Sequence, residues 1–298
     1  MYDARIDDHG EDSAPLLITG ASGTIGARVV DIVAAAGATV RVAARRPAAL
    51  QDPWERDVTI VPFDFVDEST WGSACKGVKV AFVMRPPAIS NIERDMVPAL
   101  QAMQTAGVEH VVLLSVMGAE NMPWVPHAKL EAWLRASTMS WTFVRPSFFM
   151  ENLSTTHASA IQDLDEIIVP AGKGKTSFVA AEDVAAVAGA ALLHPERHRD
   201  RCWTPTGAAA YSYTAVAAMM SLAVGRTIIY RRPSIARYAA HARRDLGMPW
   251  AMVATTVAIY TVARLGKAGG VTADVEAVTG HRPVRLYDWV SEHRGAWR

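Results

Sequence analysis

A glycine-rich loop near the start of this sequence has residue types and spacing that could bind phosphates. Gly20, Gly23 and Gly26 are spaced as G-x-x-G-x-x-G between an apolar run and a helical pattern. Such glycines permit a tight turn, let the backbone approach a pyrophosphate and let the helix pack closely on the strand. The free N–H groups and the dipole of that helix would then attract the phosphates. The spacing predicts a dinucleotide site, with an ordinary glycine-rich turn as the alternative.

The residues after the second apolar run indicate which dinucleotide is bound. An NAD enzyme usually carries an Asp or Glu about 20 residues after the loop, where it binds the ribose 2′-hydroxyl. This sequence has Arg45 and Arg46 there and no acidic residue. A guanidinium can hold a phosphate through two parallel hydrogen bonds, which suits the 2′-phosphate of NADPH. We therefore predict NADPH (NADP) as the cofactor, with two solvated arginines at a loop start as the alternative.

The usual proton donor of short-chain reductases is missing from this sequence. Those enzymes carry Tyr-x-x-x-Lys, in which the lysine makes the tyrosine acidic enough to protonate the substrate. Here Lys129 has Val125 four residues before it, and no tyrosine lies between Tyr2 and Tyr211. Any proton donor must therefore be a different group.

Six short apolar runs must position these residues. The runs are mostly continuous instead of alternating, which is typical of strands buried on both faces of a parallel sheet. Helical patterns separate them, so we predict an α/β fold with a doubly wound parallel Rossmann sheet. The runs cover residues 16–19, 39–44, 58–63, 78–84, 110–115 and 141–145.

After residue 145 the pattern becomes mainly helical and predicts a small substrate-binding cap. Short strands are expected at 167–169, 201–204 and 227–231. We expect an NAD(P)-binding Rossmann domain over 14–150, completed by about 178–206, and the cap over 151–177 and 207–298. Residues 1–13 carry five acids and one base and are predicted to form a disordered acidic tail.

Composition argues against several classes of partner. The chain has 298 residues with 30 Lys and Arg against 30 Asp and Glu, a formal net charge of zero. Binding of a nucleic-acid backbone needs a basic face, so no nucleic-acid partner is predicted. The most apolar stretch, residues 251–263, is shorter than the ~20 residues that a membrane span needs, so no membrane partner is predicted. Two cysteines and the lack of a signal-peptide pattern favour a cytoplasmic protein.

Four other histidines do not predict a metal site. His157, His194, His198 and His241 lack metal-ligand spacing with nearby cysteines or carboxylates. We predict that they lie on the surface and that no metal is bound.

Six segments of the chain carry a more specific pattern. They are residues 18–26, 107–112, 115–119, 141–152, 170–175 and 272–276. Through these segments the sequence resembles, over nearly its whole length, the NmrA-like group of atypical short-chain dehydrogenases and reductases. That group contains NAD(P)H-dependent quinone, azo-dye and triphenylmethane-dye reductases, together with regulators that bind the cofactor without turnover.

The resemblance implies a set of site residues. Those expected against the cofactor are Gly20, Ser22, Gly23, Thr24, Ile25, Arg45, Asp64, Phe65, Arg85, Pro86, Ser115, Lys129 and Pro146. Those expected around the substrate are Met117, Phe148 and Phe149. The group usually has a second serine after Ser115, whereas this chain has Val116, which weakens an oxyanion-binding role there.

The resemblance also implies that His127 and Lys129 are catalytic. His127 and Glu131 form the His-x-x-x-Glu pattern of the dye- and quinone-reductase branch. One helical turn separates them, so the carboxylate is expected to orient the imidazole ring. Imidazole titrates near neutrality and could protonate a carbonyl, quinone or imine product, with water as the alternative donor. Lys129 is further expected to bind the ribose or the nicotinamide.

The function that the resemblance implies is NADPH-dependent hydride transfer to a conjugated small molecule, such as a quinone, azo dye, enone or imine, in an apolar pocket. The alternative is a non-catalytic regulatory protein that senses NADP. The sequence leaves both a monomer and a homodimer open.

Overall fold

The computed structural model describes residues 14–50, 54 and 58–298, so the predicted acidic tail, residues 1–13, lies outside the described residues. The strands are β1 (Leu16–Thr19), β2 (Val40–Ala44), β3 (Val58–Pro62), β4 (Val80–Met84), β5 (His110–Leu114), β6 (Ser140–Val144), β7 (Phe148–Phe149), β8 (Lys175–Val179), β9 (Arg201–Trp203) and β10 (Ala210–Ser212). The helices are α1 (Thr24–Ala35), α2 (Trp71–Cys75), α3 (Ile92–Asp95), α4 (Val97–Thr105), α5 (Pro126–Ala136), α6 (Ala158–Leu164), α7 (Ala181–Leu193), α8 (Pro195–His198), α9 (Tyr213–Val224), α10 (Ile235–Arg244), α11 (Trp250–Arg264), α12 (Asp274–Thr279) and α13 (Leu286–Glu292).

A parallel sheet of seven strands forms the centre of the molecule, in the order β3-β2-β1-β4-β5-β6-β9. The chain reverses its direction of travel at β1, which pairs with β2 on one side and β4 on the other. Ligands of open α/β sheets bind at such a reversal, beyond the carboxyl ends of the strands. The six predicted runs correspond to the first six strands, and the run at 201–204 is β9, which pairs with β6. The predicted doubly wound sheet is confirmed.

The sheet separates two apolar clusters, because successive residues of a strand point to opposite faces. Ile18 in β1 shares one cluster with Val29 of α1, and α7 packs beside α1 on that face. Leu17 shares the other cluster with Leu100 of α4 and Leu130 of α5. The two layers hold the strand ends and the first turns of α1 and α5 in fixed relative positions.

A third apolar cluster fills the cap and includes the buried side chains of Tyr213, Tyr238, Trp289 and Trp297. A second, three-stranded sheet in the order β10-β8-β7 joins this cluster to the segment after β6. β8 is parallel to β7 and antiparallel to β10. The sequence did not predict this sheet, because its strands are short and their partners lie far apart in the chain.

The predicted strands at 167–169 and 227–231 are not strands. A single bridge between Glu166 and Ile229 joins the two segments. Ile167 and Ile228 are nevertheless buried in the cap cluster. A short apolar run indicates burial more reliably than it indicates a strand, which explains the error.

Three of the four histidines that were predicted to lie on the surface are buried. His157 is 3%, His241 6% and His198 8% exposed, whereas the side chain of His194 is 53% exposed. The buried rings have polar side-chain partners, as when His157 Nε2 lies 2.8 Å from the hydroxyl of Tyr260. The spacing of residues does not reveal such partners, so the predicted surface position was wrong for these three histidines and right for His194.

α11 is the longest helix in the described part of the chain, with 15 residues. It packs against α10 and contacts β8 of the small sheet. Within residues 14–50, 54 and 58–298, no helix is both long and apolar enough to cross a membrane.

Candidate active site

The glycine-rich loop follows β1 and ends at the first turn of α1. Gly20 has a φ of +74°, which side chains rarely adopt. A Cβ atom on Gly26 would lie 2.2 Å from the carbonyl oxygen of Gly20, so only glycine lets α1 approach the loop this closely. The N–H of Gly23 donates to the Gly20 carbonyl at 3.0 Å and closes the turn. The loop has the tight turn and the close packing that a pyrophosphate site requires.

The first turn of α1 leaves backbone donors free. Its N-cap residue is Gly23, which has no side chain to accept from the first N–H groups. Ser22 and Thr24 are exposed beside it. Ile25 is buried in the same cluster as Val29, so its backbone, not its side chain, can face a phosphate. This helix end therefore suits an anion.

A cleft of about 540 Å³ opens at the carboxyl ends of β1, β2, β3 and β4. Its size is within the range of natural ligand sites. Arg46, Met84 and Pro87 contribute to its walls. The cleft brings together six of the predicted cofactor residues, which are Gly20, Ser22, Arg45, Asp64, Phe65 and Pro86.

The wall after β3 is held rigidly by side-chain hydrogen bonds. The N–H of Asp64 donates to Oγ1 of Thr70 at 3.0 Å, and Nε1 of Trp71 donates to the Asp64 carbonyl oxygen at 2.7 Å. The ring of Phe65 is buried and makes an edge contact with Phe63, with centroids 5.0 Å apart. Both predicted residues of this wall are thus fixed before any ligand binds.

Arg85 lies between two residues of the cleft wall, and one of its N–H groups has no acceptor among the described residues. Its Nη1 donates to the carbonyl oxygens of Pro86 at 3.0 Å and Ile89 at 2.6 Å. Its Nε is buried without a hydrogen-bond partner among the described residues, and burial lowers the pKa of the guanidinium. A buried N–H without an acceptor is costly, so an oxygen atom of a ligand would stabilise this arrangement.

The donors around the cleft fit a phosphorylated dinucleotide. Arg45 and Arg46 line the cleft at the end of β2, where no acidic residue is present. The free N–H groups of α1 and the buried Nε of Arg85 add neutral and charged donors. This set suits the several phosphates of NADPH better than it suits an uncharged ligand.

His127 lies in the first turn of α5 and is half-buried. Burial lowers the pKa of His127 to about 4, the positive charge of Arg85 acts in the same direction, and Glu131 opposes both. The ring is therefore neutral at neutral pH. A neutral imidazole can donate one N–H hydrogen bond, but it cannot act as an imidazolium acid.

Glu131 does not orient His127, contrary to the prediction. Its buried carboxylate accepts from Nε of Arg145 at 2.9 Å, from Nη2 of Arg145 at 2.5 Å and from Oγ of Ser115 at 2.5 Å. Spacing correctly placed His127 and Glu131 on one helical face. A guanidinium, however, forms a charge-assisted bidentate pair with a carboxylate, and a neutral ring does not compete with it.

Arg145 is a residue of this region that sequence reasoning missed. It follows β6, and its Nη1 also lies 2.9 Å from Oε2 of Glu120. Burial alone would lower the pKa of Arg145, but its contacts with Glu131 outweigh burial and raise it. Because Ser115 follows β5, the network ties α5 to two strand ends. The sequence feature that could have identified Arg145 is its position directly after a buried strand.

The structure does not bring Lys129 to this network. Its side chain is exposed and makes no hydrogen bond within the described part of the chain. Two residues advance a helix by about 200°, so Lys129 lies on the face opposite His127. Its predicted roles as a catalytic residue and cofactor ligand lack geometric support.

Of the residues predicted to surround the substrate, some contact the central sheet and others contact the cap. The N–H of Met117 donates to the carbonyl oxygen of Pro146 at 3.0 Å, which joins the ends of β5 and β6. Phe148 and Phe149 form β7 and point to opposite sides. Phe149 packs on the sheet cluster, whereas the ring of Phe148 lies 6.1 Å from that of Tyr260 in α11. Tyr260 is an aromatic neighbour that the sequence did not single out.

Comparison with known proteins agrees with this architecture. Residues 12–292 match the NmrA-like family. The chain belongs to the NmrA-like family. An NAD(P)H azoreductase of Xenophilus azovorans is 33% identical to this chain over an alignment of 290 residues, with coverage of 95% of this chain and 99% of the relative.

Solved structures show the same fold over nearly the whole chain. The NADPH-dependent quinone oxidoreductase of Escherichia coli, complexed with NADPH, has a TM-score of 0.84 at 24% identity and covers 93% of this chain and 99% of its own. The triphenylmethane reductase of Citrobacter sp., complexed with NADP(H), has a TM-score of 0.81 at 20% identity, with coverage of 94% and 99%. The NmrA-like fold thus extends over both the central sheet and the cap.

Proposed function

We propose that this chain is a reductase that uses NADPH to reduce a conjugated small molecule, such as a quinone, azo dye, enone or imine. The observation that carries the proposal is the cleft at the ends of β1 to β4, which joins a glycine-rich loop to two arginines. His127 lies in the first turn of α5, which follows β5, and Phe148 lies in β7, which follows β6. The name of the azoreductase relative supports the same class of reaction.

The cleft residues divide the cofactor between them in this proposal. Arg45 and Arg46 bind the 2′-phosphate, and the first N–H groups of α1 bind the pyrophosphate. Asp64 and Phe65 lie beside the adenine. When bound, NADPH supplies the hydride.

His127 acts in this proposal as a neutral hydrogen-bond donor. Reduction places negative charge on an oxygen or nitrogen atom of the acceptor, and an N–H donor in a partly buried site stabilises such charge. The ring carries no extra proton at neutral pH, so the proton that completes the reduction comes from water. Met117 and Phe148 provide apolar surface for a planar acceptor.

Oxidation of NADPH, followed by its absorbance, tests the proposed reaction against a panel of quinones, azo dyes, enones and imines. We expect turnover with at least one class of acceptor, none without acceptor, and a preference for NADPH over NADH. Tight binding of NADPH without turnover on any acceptor would instead support the regulatory protein that senses NADP.

An Arg45→Glu variant tests the cofactor assignment separately. We expect the KM for NADPH to rise at least about tenfold, because charge-assisted hydrogen bonds are worth about 1.5–3 kcal/mol. The KM for NADH should change little, since it lacks the 2′-phosphate. Arg197→Glu, which changes an exposed arginine on α8, is the matched control. Unchanged affinity for NADPH in Arg45→Glu would contradict the assignment.

A further inference from the structure

The segment from residue 226 to residue 267, called here the basic hairpin, concentrates positive charge on a neutral chain. It contains α10 and α11, which pack against each other. Eight of its residues are arginine or lysine and one is acidic, so its net charge is +7. Because the whole chain has zero net charge, the rest of the molecule carries the balancing negative charge.

Acidic residues from outside the basic hairpin pair with some of its cations but leave most of them free. Arg226 pairs with Asp165 at 2.5 Å, and Glu166 pairs with Arg231 at 2.7 Å and Arg237 at 2.6 Å. The remaining cations are exposed and make no ion pair within the described residues. They are Arg232, Arg243, Arg244, Arg264 and Lys267.

α11 presents an uncharged arc to solvent, called here the apolar arc. Its inner face buries Val253, Tyr260 and Ala263. Around the helix, with 3.6 residues per turn, the exposed uncharged positions fall on one side, and the exposed Arg264 lies outside this arc. The exposed apolar members of the arc are Ala251, Met252, Ala254, Ala258, Ile259 and, directly after the last helical residue, Leu265.

The large side chains of the apolar arc are well exposed. Met252 and Ile259 are each 44% exposed and Leu265 is 67% exposed, and Trp250 at the start of α11 is 65% exposed. The hydroxyl of Thr255, the polar member of this face, donates back to the Ala251 carbonyl oxygen at 2.9 Å. The arc therefore needs no water to satisfy a hydrogen bond.

An exposed apolar surface of this kind usually marks a site of association. A second copy of the chain would bring a surface of the same positive sign against this one, which disfavours a symmetric contact. An anionic bilayer offers negative charge to the free arginines and an apolar interior to the arc. Tryptophan at the edge of the arc is also the residue type that membrane interfaces favour.

We infer that the basic hairpin binds the surface of an anionic lipid bilayer, with the apolar arc of α11 in the interface plane. The 15 residues of α11 are too few to span a bilayer, but a helix that lies in the interface has no such minimum length. Those free cations that flank the apolar arc then lie near the phosphate groups of the lipids, where each is worth about 1 kcal/mol.

Co-sedimentation of the full chain with sucrose-loaded vesicles tests this inference. One set of vesicles contains phosphatidylglycerol and phosphatidylcholine, and the other contains phosphatidylcholine alone. We expect binding to the anionic set, weakened by added salt, and far weaker binding to the neutral set. No cofactor or acceptor is needed, so the result is independent of the proposed reductase function.

Two substitutions separate the contributions of charge and apolar surface. Arg243→Glu should weaken binding to anionic vesicles at least about fivefold, which corresponds to about 1 kcal/mol per basic side chain. Arg199→Glu, at an exposed arginine outside the basic hairpin, is its matched control. Ile259→Asp should weaken binding about tenfold or more, since burial of the isoleucine is lost. Leu222→Asp, at a residue of α9 that is 76% exposed, is its control.

Thermal unfolding confirms that each variant is folded before its binding is compared. Equal binding of Ile259→Asp and Leu222→Asp would overturn the role of the apolar arc. A concentration-dependent dimer that Ile259→Asp abolishes, without vesicle binding, would assign the surface to a second copy. Binding to polyglutamate but not to anionic vesicles would assign it to an acidic protein. Either result, or no binding to vesicles, overturns the inference.

Discussion

Burial decides what His127 can contribute to catalysis. An imidazole in water titrates near pH 6.5 and serves as both acid and base. Burial and the charge of Arg85 hold the pKa of His127 at about 4, so its ring keeps one N–H and no positive charge at neutral pH. The residue type alone predicts an acid, whereas its position predicts a hydrogen-bond donor.

The pH dependence of turnover tests this role of His127. We expect kcat/KM to show no histidine titration between about pH 5.5 and 8, because the ring stays neutral throughout. His127→Ala should lower kcat about 100-fold by removing the donor. A titration near pH 6.5 in the native enzyme that disappears in His127→Ala would show that the charged ring is the acid.

Removal of the Glu131 side chain should lower the free energy of unfolding more than removal of the Lys129 side chain. Glu131→Ala leaves the buried Arg145 without its bidentate partner, so we expect the free energy of unfolding to fall by about 3–5 kcal/mol. Lys129→Ala changes an exposed residue of the same helix and should shift it by less than about 0.5 kcal/mol. Urea denaturation measures both. A raised KM for NADPH in Lys129→Ala would support the ligand role that the family resemblance implies.

Among the elements, the contact between α1 and the glycine-rich loop leaves no room for an added Cβ atom. A Cβ atom on Gly26 would lie 2.2 Å from a backbone oxygen, so Gly26→Ala must displace the helix or the loop. We expect a loss of about 1–3 kcal/mol in the free energy of unfolding, together with weaker NADPH binding.

Gly72 in α2 is the control for that substitution. A Cβ atom there meets nothing within 4 Å, so Gly72→Ala should raise stability by up to about 1 kcal/mol. Thermal unfolding separates the two variants. Equal melting temperatures for Gly26→Ala and the native protein would contradict the close packing.

The elements that could be predicted from the sequence are those whose cause is local. The first six strands are mostly continuous apolar runs, and helical patterns flank most of them, so one segment suffices to identify each strand. β7 and β8 exist because they pair with each other and with β10, and no single segment contains that information. The segments around Ile167 and Ile228 show the opposite error, since apolar runs were taken for strands when they only fill the cap.

The same distinction applies to the site. The glycine-rich loop and Arg45 could be predicted because neighbouring residues determine their placement. The partner of Glu131 could not be predicted, because tertiary packing decides which cation lies beside a buried carboxylate. Arg145 is 14 residues away from it in the chain and on another element.

At the scale of the whole molecule, buried histidines should make stability depend on pH. Burial lowers the pKa of His110 and of His157 to about 4, from 6.5 in the unfolded chain. Below pH 6.5 the unfolded chain binds protons that the folded chain does not, so stability falls as the pH falls. Between pH 6.5 and about 5 we expect a loss of about 2 kcal/mol for each ring.

Urea denaturation at the two pH values measures this loss, and His157→Gln should remove the part of it that His157 contributes.

Asp183 acts in the opposite direction, because burial raises its pKa to about 6, from 3.8. The folded chain binds that proton first, so Asp183 adds stability as the pH falls through 6. Asp183→Asn should therefore make the acid loss steeper. A pH-independent stability in both the native protein and Asp183→Asn would contradict both assignments.

A single helix separates the proposed acceptor site from the outer surface of the cap. The inner face of α11 brings Tyr260 to Phe148, while its outer face carries Ile259. Binding on the two faces is therefore linked thermodynamically. If a lipid bilayer bound at the apolar arc changes the affinity for the acceptor by some factor, the acceptor changes the affinity for the bilayer by the same factor. The same coupling factor can therefore be measured in two ways: as the change in acceptor affinity when vesicles are bound, and as the change in vesicle affinity when the acceptor is bound.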